Sequence, residues 1–128
     1  MIPRYRAWDK IRKTMYEVDD IMSIDFGKSE ISVKTLFFER TSRYDFDDIV
    51  LMQSTGMTDK NGREIFEGDI LDSEDGFLAG VVELRQNLGI FVSKLIKYNN
   101  FEHLCNVLDS KQIIGNVWEN PKLLEVKS

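Results

Sequence analysis

Apolar and polar residues alternate along much of this chain with a period of two, the spacing of a half-buried strand rather than of a helix. Met22, Ile24 and Phe26 alternate with Ser23 and Asp25, and Ile31, Val33 and Thr35 alternate with Ser32 and Lys34. Each set predicts a strand with its apolar side chains on one face, and Gly27-Lys28-Ser29-Glu30 between them reads as a hairpin turn. Ile49-Val50-Leu51-Met52 is an apolar run of strand length. Gly80 to Leu84 and Gly89 to Val92 flank Gln86-Asn87-Leu88, a second hairpin pattern. With Tyr5 to Trp8 and Ile113 to Trp118, the pattern gives about seven to nine short strands, more than one flat sheet in so short a chain accommodates. Closing the sheet protects its edges, so the fold predicted is a mainly β domain of small-barrel type.

Helical spacing occurs in one place. Phe101, Leu104, Cys105 and Leu108 fall at i, i+3, i+4 and i+7, which predicts a two-turn helix over Phe101 to Leu108, capped by Asn99 or Asn100. A second short helical turn is expected at Asn120-Pro121, with Asn as the cap and Pro in the first helical position. Residues 40–48 form the most polar stretch, the expected loop between two halves and the place of any subdomain break within one domain spanning 1–128. A 42% hydrophobic share over 128 residues fills the core of one such domain without metal or disulfide staples. The single cysteine excludes an intrachain disulfide and a Cys-rich zinc site. No apolar run approaches the roughly 18 residues of a membrane helix, and no signal-peptide pattern opens the chain. A cytoplasmic protein without a membrane partner is expected.

Charge adds polarity to this picture. The formal net charge is −5, yet Met1 to Tyr16 holds five basic residues (Arg4, Arg6, Lys10, Arg12, Lys13) and one acid. Glu64 to Leu84 holds seven acids and no Lys or Arg. On a strand, Arg4, Arg6 and Trp8 share one face, a geometry that could stack a base and contact phosphate. The overall acidity repels a polyanion, so nucleic acid is disfavoured as a partner.

The densest group of unusual residues runs from Thr55 to Ile70 and includes Asp59, Asn61, Gly62, Glu64, Glu67, Gly68 and Asp69. Asn61-Gly62 tolerates positive φ and reads as a tight turn, and Gly68-Asp69 reads as a second turn in which the carboxylate binds nearby backbone N–H groups. The rival reading has Asp59, Glu64, Glu67 and Asp69 converging on a cation or working as an acid–base pair. Their spacing does not match a calcium loop, and the turn reading is preferred. Asp72-Ser73-Glu74-Asp75-Gly76 reads in the same way as a solvated hairpin loop. On the expected helix His103 and Cys105 point about 200° apart, so they share no metal; Cys105 is assigned to packing and His103 to solvent. Phosphate-binding glycine loops and a Gly-x-Ser-x-Gly elbow are absent. The sequence therefore nominates no catalytic residue, no metal and no cofactor.

Three blocks in order, Arg6-Ala7-Trp8-Asp9-Lys10 with Met15-Tyr16, then Gln53 through Ile70, then Ile114 through Leu124, resemble the YopX family of small proteins from phages and prophages of Gram-positive bacteria. Met57 stands where Leu is usual, and Phe66 and Trp118 where Tyr is common; all three are apolar exchanges. The resemblance implies an SH3-like barrel with additional strands and one or two short helices, a phage origin, and self-association. It assigns no catalytic residues. The leading expectation is a non-enzymatic accessory protein, a homo-oligomer that binds a host or phage protein. An acidic decoy for a host nucleic-acid-binding protein is the alternative, and a hydrolase using Asp59, Glu64 or Asp69 comes third.

Overall fold

The computed structural model describes residues 4–34, 41–73 and 78–125. They form a mainly β protein in which the only helical segments are short 3₁₀ turns. Backbone contacts divide the chain into two units, Met1–Gln53 and Ser54–Ser128, so the division falls inside one strand, β6 (Ile49–Thr58).

In the first unit β1 (Tyr5–Asp9) pairs antiparallel with β2 (Thr14–Tyr16) on one side and with the first half of β6 on the other, from Tyr5↔Gln53 to Asp9↔Ile49. A three-stranded meander, β3 (Ile21–Asp25), β4 (Glu30–Lys34) and β5 (Thr41–Asp45), completes the unit. Its core is Ala7, Ile31, Val33 and Ile49, with Tyr16, Ile21, Ile24 and Tyr44 among the side chains packed on it. The β3–β4 hairpin and the buried faces of Ile31 and Val33 are as the alternation predicts.

The face of β3 is not. A register shift between Ile21 and Ser23 makes Met22 the extra residue of a bulge, and a one-residue insertion reverses which side chains face inward. Ile21 and Ile24 pack on the core, whereas the bulged Met22 is 58% exposed and Phe26, beyond the strand in the turn, is 61% exposed. The expected loop over 40–48 is likewise corrected. Thr41–Asp45 pairs with β4 along its length and Phe46–Asp48 is a 3₁₀ turn, because cross-strand bonding to β4 outweighs a polar composition.

The β1–β2 turn depends on one buried carboxylate. Asp9, 1% exposed, accepts the N–H groups of Ile11 (3.0 Å) and Arg12 (2.9 Å) and the Tyr16 hydroxyl (2.8 Å). The Arg12 guanidinium lies 3.4 Å from the same carboxylate and 5.0 Å from the centre of the Tyr44 ring. Burial raises the Asp9 pKa, but these hydrogen bonds outweigh it and hold the group below its usual value. Burial also pushes the Tyr16 phenol up, reinforced by hydrogen bonds with Tyr44 and Asp9.

The second unit contains an antiparallel sheet in the order β11-β10-β9-β8-β12, compatible with the small barrel expected. Its strands are β8 (Asp69–Asp72), β9 (Gly80–Arg85), β10 (Ile90–Leu95), β11 (Phe101–His103) and β12 (Gln112–Asn116); β7 (Glu64–Phe66) pairs with the second half of β6. Ile65, Leu71, Val82, Leu104 and Val107 form the core. The expected helix over Phe101 to Leu108 is replaced by β11 and a 3₁₀ turn at Leu104–Asn106. Residues 101–103 find backbone partners on β10, and the three-residue turn buries Leu104 and Val107 at i, i+3 while leaving Cys105 exposed rather than packed. Pro121–Leu124 is the short turn expected, with Pro first, although the Asn120 side chain accepts the N–H of Asn116 instead of capping it. Lys111, 2% exposed, is drawn inward by Glu102 (2.6 Å) and by the carbonyl of Leu78. Residues 74–76 of the expected acidic loop lie outside the described residues. Among the described residues, no helix is long and apolar enough to cross a membrane.

Gly80 marks the tightest point of this sheet. A Cβ there would stand 2.1 Å from the hydroxyl of Ser93 and 3.0 Å from the carbonyl oxygen of Lys94. Ser93 is fully buried and its hydroxyl has no hydrogen-bond partner. Gly80→Ala should cost about 2 kcal/mol in urea denaturation through overpacking. Ser93→Ala should be close to neutral, and combining the two should recover part of the loss; strict additivity would show that the two side chains do not compete for one space.

Candidate functional site

The block from Thr55 to Ile70 folds as two consecutive turns whose carboxylates point inward at backbone donors. Asp59, 5% exposed, accepts the N–H groups of Asn61 and Arg63 through Oδ1, both at 2.9 Å. Its Oδ2 accepts the N–H of Ile113 on β12 at 2.9 Å. Gly62 takes a φ of +82° and donates its N–H to the carbonyl of Asp59, which gives the left-handed turn that Asn-Gly predicts at its glycine. Asn61 does not share the positive φ; its side-chain amide instead reaches Gln112 at 3.2 Å. The Lys60 N–H to the Lys111 carbonyl (3.0 Å) and the Arg63 guanidinium to the Ile113 carbonyl (3.5 Å) complete a clamp along β12. An edge strand protected in this way no longer offers its backbone for pairing.

The second turn repeats the device. Gly68, at a φ of +86°, donates to the carbonyl of Val82 and accepts from Val117, while buried Asp69 accepts the N–H of Phe66 at 2.8 Å. Glu64 accepts the Ser54 hydroxyl at 2.6 Å, and Glu67 is half-buried beside the turn. Ser54 and Thr55 also accept the N–H groups of Gly56 and Met57 across the β6–β7 register shift, so their side chains replace ladder bonds that the bulge removes.

The Asp59 pKa, raised by burial, is brought below its usual value by the N–H groups of Ile113, Arg63 and Asn61 together with the Arg63 charge. An ionised carboxylate committed to three fixed donors has little capacity left to take a substrate proton or bind a cation. No group of three or more potential metal ligands is found among the described residues. In this block Asp59 and Asp69 hold the N–H groups of their own turns.

The basic and aromatic face does not form. Arg4 is exposed, but Arg6 and Trp8 are 7% and 6% exposed, in register with Met52 and Val50 on β6. Both faces of β1 are covered, Ala7 and Asp9 being buried as well as Arg6 and Trp8, so Trp8 offers no stacking surface for a base. The acidic run is also less exposed than its composition implies: Asp69 is buried, and Glu64, Glu67, Asp72 and Glu83 are half-buried.

A different surface emerges in the first unit. Arg4, Tyr5, Ile21, Met22, Ile24 and Phe26 line most of a groove of about 490 Å³. Phe26 sits edge-on between Tyr5 (6.1 Å) and Phe46 (5.8 Å) and still exposes most of its ring. Exposed apolar clusters of this kind mark interaction sites in soluble proteins. Sequence reading missed it because strict alternation buried Met22 and Phe26. It also missed Asp9 and Asn116, whose side-chain oxygens each hold two following N–H groups, those of Ile11 and Arg12 and those of Trp118 and Glu119. The signal for both was an Asp or Asn ending a strand just before a turn.

The sequence matches the family model described as YopX protein over residues 4–125. The chain belongs to the YopX family. Among solved structures it is similar to protein EF1440 from Enterococcus faecalis, with 29% identity, 98% of this chain and 99% of that one covered, and a TM-score of 0.57. Protein yopX from Bacillus subtilis shares the fold at 23% identity, covering 95% of this chain and 98% of that one with a TM-score of 0.63. A search of curated proteins gave no match.

Removing the Asp59 carboxylate leaves three part-buried N–H groups without their acceptor, so Asp59→Ala should cost about 3 kcal/mol and Asn61→Ala under about 1 kcal/mol in denaturant titrations at neutral pH. The pH dependence has a definite sign. Asp9 and Asp59 have folded pKa values below the model value of 3.8. Their stabilisation is complete above the unfolded value and is lost as pH falls through the folded one. The stability gap between the parent chain and Asp59→Asn should therefore narrow below about pH 4. A gap that stays constant down to the acid transition would show that the charge contributes nothing.

Proposed function

We propose that this YopX-family chain works by binding and not by catalysis, as a phage or prophage accessory protein in the bacterial cytoplasm that self-associates and takes a host or phage protein. One observation carries the reading: the carboxylates that could have served chemistry hold backbone N–H groups in turns, while Met22 and Phe26 stand exposed on an apolar groove of the first unit. Binding through such a groove draws on aromatic anchors and needs no titrating group. The acidic-decoy alternative loses its motivation, because no described acid between Glu64 and Glu83 is fully exposed. The hydrolase reading loses Asp59 and Asp69 to the turns.

Tagged protein should capture a partner from phage-carrying host cells with equal yield before and after nuclease treatment. Phe26→Ser should lower that yield about tenfold, the effect of truncating one interface anchor, while the exposed Asn61→Ala leaves it unchanged. Capture that survives Phe26→Ser would move the binding surface elsewhere, and capture abolished by nuclease would return nucleic acid as the partner.

A further inference from the structure

We infer that Asn61-Gly62 is a self-modification site: the Asn61 side chain deamidates through a cyclic imide, and the isoaspartate that results releases the clamp on β12. The reaction needs an asparagine whose following residue leaves its backbone nitrogen unobstructed, and Asn61 is the one asparagine of this chain that precedes glycine. The others are followed by Leu, Asn, Phe, Val or Pro, whose side chains shield the nitrogen or, in Pro, occupy it. The turn is open where the ring would form. Asn61, Gly62 and Arg63 are exposed, and nothing stands within 4 Å of the position a Gly62 Cβ would take. Two hydrogen bonds restrain the reacting groups, Asn61 Nδ2 to Gln112 Oε1 at 3.2 Å and the Gly62 N–H to the Asp59 carbonyl at 3.0 Å. Each has one end on an exposed residue of the turn, so local opening frees them.

Once both open, the Gly62 nitrogen gives its proton to solvent and bonds to Asn61 Cγ, the Cγ–Nδ2 bond breaks, and ammonia leaves with a proton taken from water. Water then adds to one of the two ring carbonyls and the ring opens with the Gly62 N–H restored. Opening at Cγ gives aspartate, and opening at the main-chain carbonyl of residue 61 gives isoaspartate. No electrons are transferred, and water is the co-reactant. Isoaspartate carries the main chain through Cβ and Cγ, which inserts one atom between the N–H groups of residues 61 and 63. Those are the two donors that Asp59 Oδ1 accepts, both at 2.9 Å. The Arg63 carbonyl, which accepts the Asp59 N–H at 2.9 Å, lies beyond the same insertion. One oxygen cannot keep both donors at bonding distance once their spacing changes. Oδ2 of the same carboxylate holds the Ile113 N–H, so the change in an exposed turn reaches β12.

The full chain, incubated at mildly alkaline pH, should gain about 1 Da as an amide becomes an acid. The gain should map to the peptide containing Asn61 and Gly62 before any other asparagine, and its rate should rise with pH because the attacking nitrogen must lose its proton. Asn61→Gln keeps an amide at the exposed position but requires a larger ring, and should remove that gain. Hydrogen exchange reads the consequence. In the isoaspartyl fraction, separated by chromatography, the Ile113 N–H should exchange about tenfold faster than in the parent, the effect of losing one charge-assisted hydrogen bond. Freshly purified Asn61→Asp, which adds the charge without the extra main-chain atom, should keep most of the parent's protection. An Asn61 that stays intact or reacts after other asparagines, a gain unaffected by Asn61→Gln, or an isoaspartyl fraction protected as well as the parent would each overturn the inference.

Discussion

The hydrogen bond from the Ile113 N–H to Asp59 joins positions 54 residues apart, and the second unit depends on it. A carboxylate placed at the start of a tight turn satisfies that turn's own N–H groups first. Here one oxygen does so while the other reaches across to the opening of β12. Local turn formation and a long-range strand contact are thereby made by the same side chain. The three donors make ionisation favourable despite burial, which keeps the group a strong acceptor at neutral pH.

The first unit solves the same problem with Asp9, a buried carboxylate that holds a hairpin turn and reaches to a tyrosine on the next strand. Two acids with near-identical roles explain how a chain of net charge −5 keeps several of its acids away from water. In each case the charge is neutralised by N–H dipoles more than by a counter-ion. Arg12 and Arg63 contribute at the margin from exposed positions.

How much of this was legible depended on whether local pattern or tertiary pairing decided the outcome. The hairpins around Gly27–Glu30 and Gln86–Gly89 were readable, because the alternation of their flanks and the chemistry of their turns agree. Asp69 was readable as a turn acceptor for the same reason. Phe101 to Leu108 misled because its apolar spacing suits a helix equally well, and only the unpaired edge of β10 makes the first three residues a strand. The face of β3 was lost to a one-residue bulge, which no alternation count can detect. Arg6 and Trp8 were placed correctly on a strand, yet a sequence does not say which side of that strand a neighbour will cover.

Contact density separates the two units at Gln53 and Ser54, but these adjacent residues lie mid-strand in β6. Gln53 is in register with Tyr5 on β1, and Ser54 with Phe66 on β7. A cut at that point leaves each half the residues its own sheet pairs, but it severs one continuous strand. The two units therefore meet in one unbroken strand, and a chain junction placed in a flanking turn rather than between Gln53 and Ser54 would keep the ten residues from Ile49 to Thr58 in one piece.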